Sequence, residues 1–250
     1  MGEREHHDEF YLHDAPRIFD APLFGEVRRR MAAFLAEHGR RSARDRVLSL
    51  GCGDGRVECL MAPLVAVIVG IELSPVAVEQ GRERAARCQL ANVRFEVGNI
   101  EELTVVPSSF DAIWALGVLH HLDQASTEEL VRRSYEALRP GGVFVANDPS
   151  GRRLVGVFKG LFARAYRAYH SPGERELNPT ATGASFRNAG FDPVAVHYND
   201  FFLGPLAWLF PGCPRSCVPA AAALESILLA IPGLNRTASS FCIVAGKPTT

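Results

Sequence analysis

The sequence lacks the features of membrane-spanning, secreted and disulfide-rich proteins. It contains no apolar run of about 18 residues or more, the length that a membrane-spanning helix needs. Its first residues are charged and have no apolar core, so we expect no secretory signal. The six cysteines include no C-x-x-C pair, and no nearby His completes a zinc set around Cys213 and Cys217. These absences predict a cytoplasmic protein with reduced thiols and no metal site.

Neither sign of charge is in excess, since 27 Lys and Arg residues stand against 28 Asp and Glu residues. A dedicated nucleic-acid-binding protein usually carries a clear basic excess, so we expect no nucleic-acid partner. With 250 residues, of which 47% are hydrophobic, the chain is long and apolar enough to bury a core. The composition therefore predicts a folded globular protein and excludes wholesale disorder.

Short apolar segments alternate with helical segments in the first 150 residues. Strands are predicted over 46–50, 65–71, 93–97, 110–116 and 143–146, and helices over 23–38, 57–64, 76–88 and 127–138. For the last of these helices, Ser126 is the predicted N-cap, with Glu129 completing a capping box. The alternation predicts a doubly wound, mostly parallel α/β sheet. We divide the chain into an N-terminal lid and helix, 1–45, and a main domain, 46–250.

A glycine-rich turn follows the first predicted strand. Gly51, Gly53 and Gly55 alternate with other residues, and positions without side chains let the backbone turn tightly and approach a ligand. At the end of the second predicted strand lies Glu72, an acid placed to accept hydrogen bonds from the ribose hydroxyls of an adenosine. A dinucleotide fingerprint would need a further glycine where Arg56 stands, so NAD is disfavoured. Together these features predict a different adenosine-containing cofactor.

Several motifs occur along residues 40–150 in the order of a known family. They are Val47 to Gly55, Gly70-Ile-Glu72-Leu73-Ser, Val97-Gly-Asn99-Ile100, Phe110-Asp-Ala-Ile-Trp-Ala-Leu116, His120-His121-Leu and Leu138-Arg-Pro-Gly-Gly142. In these motifs the chain resembles the class I S-adenosylmethionine-dependent methyltransferases, in particular the small-molecule, "type 11"-like enzymes. The resemblance implies a seven-stranded Rossmann-like sheet with an antiparallel last strand. It also implies S-adenosylmethionine as the cofactor and S-adenosylhomocysteine as the product.

The resemblance assigns the cofactor-binding positions. The backbone of Gly51 and Gly53 would run along the methionine moiety, Glu72 would hold the ribose, and Asn99 and Ile100 would frame the adenine. The full set of expected cofactor residues is Gly51, Cys52, Gly53, Asp54, Gly55, Glu72, Leu73, Asn99, Ile100 and Leu116. Two positions depart from the family's pattern. The family usually has Asp where Asn99 stands, and it often has an acid where this chain has Ser49, a loss that could weaken cofactor binding.

Candidate catalytic residues follow the fourth and fifth predicted strands. Methyl transfer from a sulfonium is an in-line displacement, and an oxygen nucleophile with a high pKa needs a general base, for which His is the usual choice. His120 is the preferred base, because related small-molecule enzymes place an active-site side chain at its position. His121 is expected to anchor the loop. Asp148 would orient the base, or would only form the turn before Pro149.

Segments outside the motifs bear on the methyl acceptor. Residues 151–170 form a basic amphipathic pattern, typical of a helix that lies on an anionic membrane or covers a core. Residues 201–234 form an apolar insertion that would roof an acceptor pocket, form a dimer interface, add a core layer or contact a bilayer. Aromatic residues between Glu9 and Phe24 resemble the family's mobile lid, or belong to a poorly ordered terminus.

These observations predict methylation of a small, hydrophobic acceptor, most readily at oxygen, with peripheral membrane contact through 151–170 and 201–234 left open. Methylation at nitrogen or carbon is an alternative. So is a non-catalytic module that only binds S-adenosylmethionine. The oligomeric state stays open.

Overall fold

A seven-stranded sheet forms the centre of the protein in the computed structural model, which describes residues 2–154 and 174–249. The strands are β1 (Arg46–Leu50), β2 (Val67–Glu72), β3 (Val93–Val97), β4 (Phe110–Leu116), β5 (Leu138–Pro149), β6 (Val194–Asp200) and β7 (Ser240–Gly246). Their order across the sheet is β3-β2-β1-β4-β5-β7-β6. The pairs among β1 to β5 are parallel, and β7 runs antiparallel to both β5 and β6. The predicted fold class is therefore confirmed.

Helices precede, connect and follow the strands. They are α1 (Glu3–His13), α2 (Ala15–Phe19), α3 (Pro22–His38), α4 (Arg56–Met61), α5 (Pro75–Arg87), α6 (Gln124–Ala137), α7 (Pro179–Asn188), α8 (Leu203–Leu209) and α9 (Val218–Ala230). Of the predicted basic helix over 151–170, only residues 151–154 lie inside the described part of the chain. None of the helices that the structure describes is both long and apolar enough to cross a membrane.

The predicted start of α6 is wrong. The N-cap is Asp123, whose Oδ1 accepts a hydrogen bond from the backbone N–H of Ser126 at 2.7 Å. A carboxylate that precedes the helix takes the capping role, and Ser126 lies inside the first turn instead. Strand β5 is also longer than expected, because a register shift between Phe110 and Ala112 lets the Pro-Gly-Gly segment stay in the sheet.

Both faces of the sheet are covered. On one face, Leu50, Ile113 and Phe144 pack with the buried side chains of α6 and α7. On the other face, Val47 and Trp114 pack with α3, α4 and α5. Alternate side chains of each strand thus enter opposite cores, as expected for a sheet buried on both sides. The packing fixes where the carboxyl ends of β1, β2, β4 and β5 lie, and those ends border one cavity.

The N-terminal helices and the insertion pack against each other. A third apolar cluster joins Ile18 and Phe24 to Leu203 and Ala207 of α8. A smaller cluster joins Tyr11 to α5 through Ala77. The segment predicted to be a lid is therefore packed against α5 and the insertion.

Candidate active site

One cavity of about 990 Å³ lies beyond the carboxyl ends of the parallel strands. One wall consists of the glycine turn after β1, the end of β2 and the loop after β4. The opposite wall comes from α1, α2, α3 and α8. Enclosed apolar cavities of this size with a few polar groups are typical small-molecule sites. All the predicted site residues except Gly55 line it.

The turn after β1 needs glycine for two reasons. Gly51, Gly53 and Gly55 have φ values of +63°, +54° and +71°, in the left-handed region that side chains disfavour. A Cβ on Gly51 would lie 2.5 Å from Val118 Cγ2, and one on Gly53 would lie 2.4 Å from the Tyr11 hydroxyl oxygen. The turn is thus packed between the loop after β4 and helix α1, and no side chain larger than hydrogen fits there.

Glu72 is buried at the end of β2 and is held by two backbone donors. Its Oε2 accepts a hydrogen bond from the N–H of Gly53 at 2.9 Å, and its Oε1 accepts one from the N–H of Ser74 at 3.0 Å. These bonds fix the carboxylate against the glycine turn at the cavity wall. The geometry brings together the two features from which the cofactor was predicted.

A second carboxyl group, which sequence reasoning missed, lies beside the turn. Ser49 Oγ donates a hydrogen bond to Glu58 Oε1 at 2.7 Å, and Glu58 is buried while still lining the cavity. Burial raises the pKa of Glu58 to about 7, against the lowering effect of the Ser49 hydrogen bond; Asp54 and Glu72 raise it further. The sequence predicts a helix after the glycine turn, and such a helix packs back toward β1. It does not indicate which residue of that helix would face Ser49.

The other predicted cofactor residues that line the cavity are either polar residues bonded to neighbouring side chains, a thiol, or apolar residues. Asn99 lines the cavity, with its Nδ2 donating to Glu102 Oε1 at 3.0 Å. Asp54 also lines the cavity, but it is paired with Arg84 Nη2 at 2.9 Å. Burial raises the pKa of the Cys52 thiol well above its ordinary value. The apolar members of the set that line the cavity are Leu73, Ile100 and Leu116.

The predicted catalytic residues lie together after β4 and at the end of β5. Asp148 Oδ1 is 2.9 Å from His120 Nδ1, and it also accepts the backbone N–H of His120 at 3.1 Å. Asp148 is buried, and burial raises its pKa, although the contacts with His120 lower it. Both side chains line the cavity. This arrangement fixes the ring of His120 with Nδ1 toward the carboxylate.

His121 faces different partners. Its Nδ1 is 3.6 Å from Glu3 Oε1 and 3.9 Å from Glu174 Oε1, and its ring lies 5.4 Å from that of His7. Sequence reasoning missed Glu3, His7 and Glu174, because they are distant from His121 in the chain and form no spacing motif. The cluster joins α1, the loop after β4 and the segment before α7.

An aromatic wall faces the cofactor side of the cavity. The ring of Trp208 on α8 lies 5.9 Å from those of Phe10 and Phe19 and 5.3 Å from that of Phe24, as ring centroid distances. All four line the cavity. The wall thus comes from two segments that are far apart in sequence.

Comparisons with known proteins agree with this geometry. Residues 47–142 match the family model described as a methyltransferase domain. The chain is 37% identical over 108 residues to the 27-O-demethylrifamycin SV methyltransferase of Amycolatopsis mediterranei, covering 42% of this chain and 39% of that protein. It is 30% identical over 147 residues to a probable S-adenosylmethionine-dependent methyltransferase of Mycolicibacterium smegmatis, covering 58% of this chain and 51% of that protein. The matches thus span about half, or less, of these relatives' length.

Solved structures show the same fold. Phosphoethanolamine N-methyltransferase 2 of Haemonchus contortus, in complex with phosphomonomethylethanolamine and S-adenosylhomocysteine, superposes with a TM-score of 0.68 at 18% identity, covering 99% of this chain and 60% of that one. The [4+2]-cyclase SpnF superposes with a TM-score of 0.63 at 20% identity, covering 88% of this chain and 82% of that one. Residues 47–142 therefore match a methyltransferase domain, and the sheet that contains them has the fold of the solved methyltransferase structure.

Proposed function

We propose that this protein transfers a methyl group from S-adenosylmethionine to an oxygen of a small, hydrophobic acceptor. The observation that carries the proposal is the hydrogen-bonded pair of His120 and Asp148, which lines the same cavity as the glycine turn and Glu72. A general base and a cofactor-binding turn in one cavity are what methyl transfer to a hydroxyl group needs.

The polar groups of the cavity wall fit the cofactor. The Glu72 carboxylate, fixed by Gly53 and Ser74, is placed to accept hydrogen bonds from ribose hydroxyls. Glu58 supplies a carboxyl group beside Ser49, where the family often has an acid. We assign Glu58 to the positively charged methionine end of the cofactor, because an ionised carboxylate attracts an ammonium group strongly in a buried site. The acid that seemed lost at Ser49 is then supplied from α4.

His120 would remove the proton from the acceptor hydroxyl. Because Asp148 holds Nδ1, the ring's other nitrogen, Nε2, is left for the acceptor. When bound, the cofactor would supply a methyl group on a sulfonium, from which a neutral thioether leaves readily. That methyl group would pass to the acceptor oxygen, and the sulfur would keep the electron pair of the carbon–sulfur bond as the thioether product leaves. The proton passes to His120, and Asp148 stabilises the imidazolium.

The acceptor is assigned from the aromatic wall. Phe10, Phe19, Phe24 and Trp208 offer apolar ring surface to a ligand in the cavity. Such surface favours an apolar body such as a lipid, a quinone precursor or a polyketide-like aglycone. The 37% identical relative is named for methyl transfer to the oxygen of a rifamycin, which supports a bulky hydroxyl-bearing acceptor.

We also propose peripheral contact with a membrane through the insertion. Leu224 and Ile227 of α9 are 50% and 60% exposed, and the neighbouring Ile231 is 42% exposed. Flotation with liposomes tests the proposal: recruitment of the wild type that is reduced in Ile227→Ser is expected, because apolar side chains drive the contact. Recovery of all protein in the unbound fraction at low salt would contradict it.

The enzymatic proposal is tested with methyl-labelled S-adenosylmethionine and a protein-free extract of the source organism. Wild-type protein should transfer label to a small molecule, and His120→Ala should not, although both bind the cofactor in calorimetry. Cofactor binding without any transfer would favour the non-catalytic binding module. Label recovered in a volatile or water-soluble amine would favour methylation at nitrogen.

A further inference from the structure

Four side chains with metal-ligand chemistry meet at the mouth of the cavity. Glu3 and His7 lie on α1, His121 follows β4, and the fourth, Glu174, precedes α7. Glu3, His7 and His121 offer three possible ligand atoms within 4.8 Å of one another, and a second such group consists of His120, His121 and Glu174. We propose that these four residues, the His121 cluster, form a binding site for a divalent cation of the Zn²⁺ type. The proposal goes beyond methyl transfer and does not depend on it.

The distances between the donor atoms fit such an ion. Glu3 Oε1 lies 3.9 Å from His7 Nε2 and 3.6 Å from His121 Nδ1. Glu174 Oε1 lies 3.9 Å from the same nitrogen of His121. Donors around a tetrahedral zinc ion, each bonded at about 2.1 Å, are about 3.4 Å apart. The three measured separations exceed this value by 0.5 Å or less.

The kinds of donor select the class of ion. Two imidazoles and two carboxylates suit Zn²⁺, Co²⁺ and Ni²⁺, whereas Mg²⁺ and Ca²⁺ prefer sites made of oxygen donors alone. His120 is also close to His121, with ring centroids 4.1 Å apart, but its Nδ1 is bonded to Asp148. We therefore leave His120 outside the His121 cluster, which keeps it available as the base.

The backbone holds three parts of the cluster in place. The N–H of His121 donates to Val118 O at 3.1 Å, which closes a tight turn after β4. Next to Glu174, the N–H of Arg175 donates to His120 O at 3.0 Å, which ties the two segments together. Glu3 and His7 are one helical turn apart, a spacing that places both on one face of α1. Two of the three parts are thus fixed to each other, and the third is a helix that closes on them.

A bound cation would fasten the N-terminal lid. Helix α1 also carries Tyr11, which is buried against Gly53 of the glycine turn. Linking α1 to the loop after β4 would hold Tyr11 against the turn and enclose the cofactor side of the cavity. Zinc bound at the His121 cluster would thus position α1, and it should make this helix more rigid.

Calorimetric titration of Zn²⁺ into the tag-free, EDTA-treated full chain tests the site. One equivalent should bind with micromolar or tighter affinity, and His7→Ala and Glu3→Gln should each weaken that binding at least tenfold. The matched control is His13→Ala. His13 lies on the same helix, one turn from Glu9 at 3.4 Å, but both side chains are mostly exposed. It should bind zinc as the wild type does.

Hydrogen exchange of α1 provides the second readout. Zinc should slow exchange of the α1 amides in wild type and His13→Ala but not in His7→Ala. If His7→Ala fails to fold, Glu3→Gln carries the test, since Glu3 is half exposed and its replacement removes only a ligand oxygen. Equal zinc affinity in wild type and both cluster variants would place the ion elsewhere, for example on cysteine thiolates, and would overturn the proposal. An absence of binding at 100 µM zinc would show that the cluster is an ion-pair network only.

Discussion

Residues 47–142 and the segments on either side of them meet at one cavity, but they build it in different ways. The first region contributes backbone and charged groups at the ends of parallel strands: the glycine turn, Glu72 and Glu58. The flanking segments contribute polar groups as well, but they also supply the aromatic wall, which includes Phe19 and Trp208 on helices. Ligands bind where strands of an open α/β sheet end, so the first region can be common to a family while the flanking helices differ. On this basis we propose that the strand region, residues 47–142, binds the cofactor and that the flanking segments bind the acceptor.

The largest effect is expected at the proposed base, His120, which lies within residues 47–142 and is hydrogen-bonded to Asp148 outside them. His120→Ala should lower kcat by about 10²- to 10⁴-fold, the usual contribution of a positioned general base. The affinity for S-adenosylmethionine should change less than threefold, because Glu72 and the glycine turn are untouched. Turnover of labelled cofactor and calorimetry measure the two quantities, with the exposed His13→Ala as control. Unchanged turnover would remove His120 from the mechanism.

A variant in the strand region is expected to have a large effect on the affinity for the cofactor alone. Glu72→Gln replaces a carboxylate that is buried against the turn, and a hydrogen bond to a charged group is worth about 1.5–3 kcal/mol. The Kd for S-adenosylmethionine should therefore rise about 10- to 100-fold. Glu79→Gln, on the exposed face of α5, should leave it unchanged. If both variants bind equally well, Glu72 does not hold the ribose.

The opposite result is expected in the flanking segments. Trp208→Ala removes an aromatic ring from the wall, and losing such a contact costs about 1–3 kcal/mol of apolar burial. The KM for the acceptor should rise about tenfold or more while the cofactor Kd stays the same. Phe210→Ala, two residues along and 52% exposed, is the matched control. A change in cofactor affinity instead of acceptor KM would break the division between the two regions.

The smallest expected effect is on the pH dependence of the free energy of unfolding, and two buried carboxyl groups can be compared for it. Burial raises the pKa of Glu58 on α4 to about 7, and burial together with the charge of Glu225 raises the pKa of Asp200 at the end of β6 to about 7. Between the unfolded and the folded pKa, each group holds its proton in the folded state but has lost it in the unfolded chain. The free energy of unfolding therefore falls as pH rises toward 7, from about 4.5 for Glu58 and from about 4 for Asp200. Glu58→Gln or Asp200→Asn should each reduce that slope, by at most about 1.4 kcal/mol per pH unit.

Only one of these two carboxyl groups is assigned to the cofactor. Affinity for S-adenosylmethionine should rise severalfold from pH 6 to 8 as Glu58 ionises, against the repulsion of Asp54 and Glu72. This rise should disappear in Glu58→Gln and persist in Asp200→Asn, as measured by calorimetry at each pH. A rise that persists in Glu58→Gln would assign it to another group.

Prediction from the sequence succeeded where a local pattern determines structure. The bounds of β3 and β4 match the predicted ones, because short apolar runs between turns are read directly as strands. The predicted cap of α6, Ser126, was wrong because the backbone path places Asp123, three residues earlier, at the start of the helix. The glycine turn and Glu72 were found because their spacing follows from the strand and helix lengths of the fold.

The rest of the site depends on tertiary packing. Glu58 reaches Ser49 only because α4 folds back on β1, and no residue pattern in a single sequence marks such a contact. The same holds for Trp208 against Phe10, and for His121 against Glu3. Groups joined across long stretches of chain are outside the reach of spacing arguments, although each residue type alone is suggestive.

The most direct test of the account is the fate of the methyl label after extraction. Wild-type protein, labelled S-adenosylmethionine and an extract of the source organism are incubated, and the products are separated into organic and aqueous phases. The account predicts label in the organic phase, lost in His120→Ala and reduced in Trp208→Ala. Label confined to the aqueous phase would contradict the apolar acceptor, and an absence of label in both phases, with cofactor binding intact, would contradict methyl transfer itself.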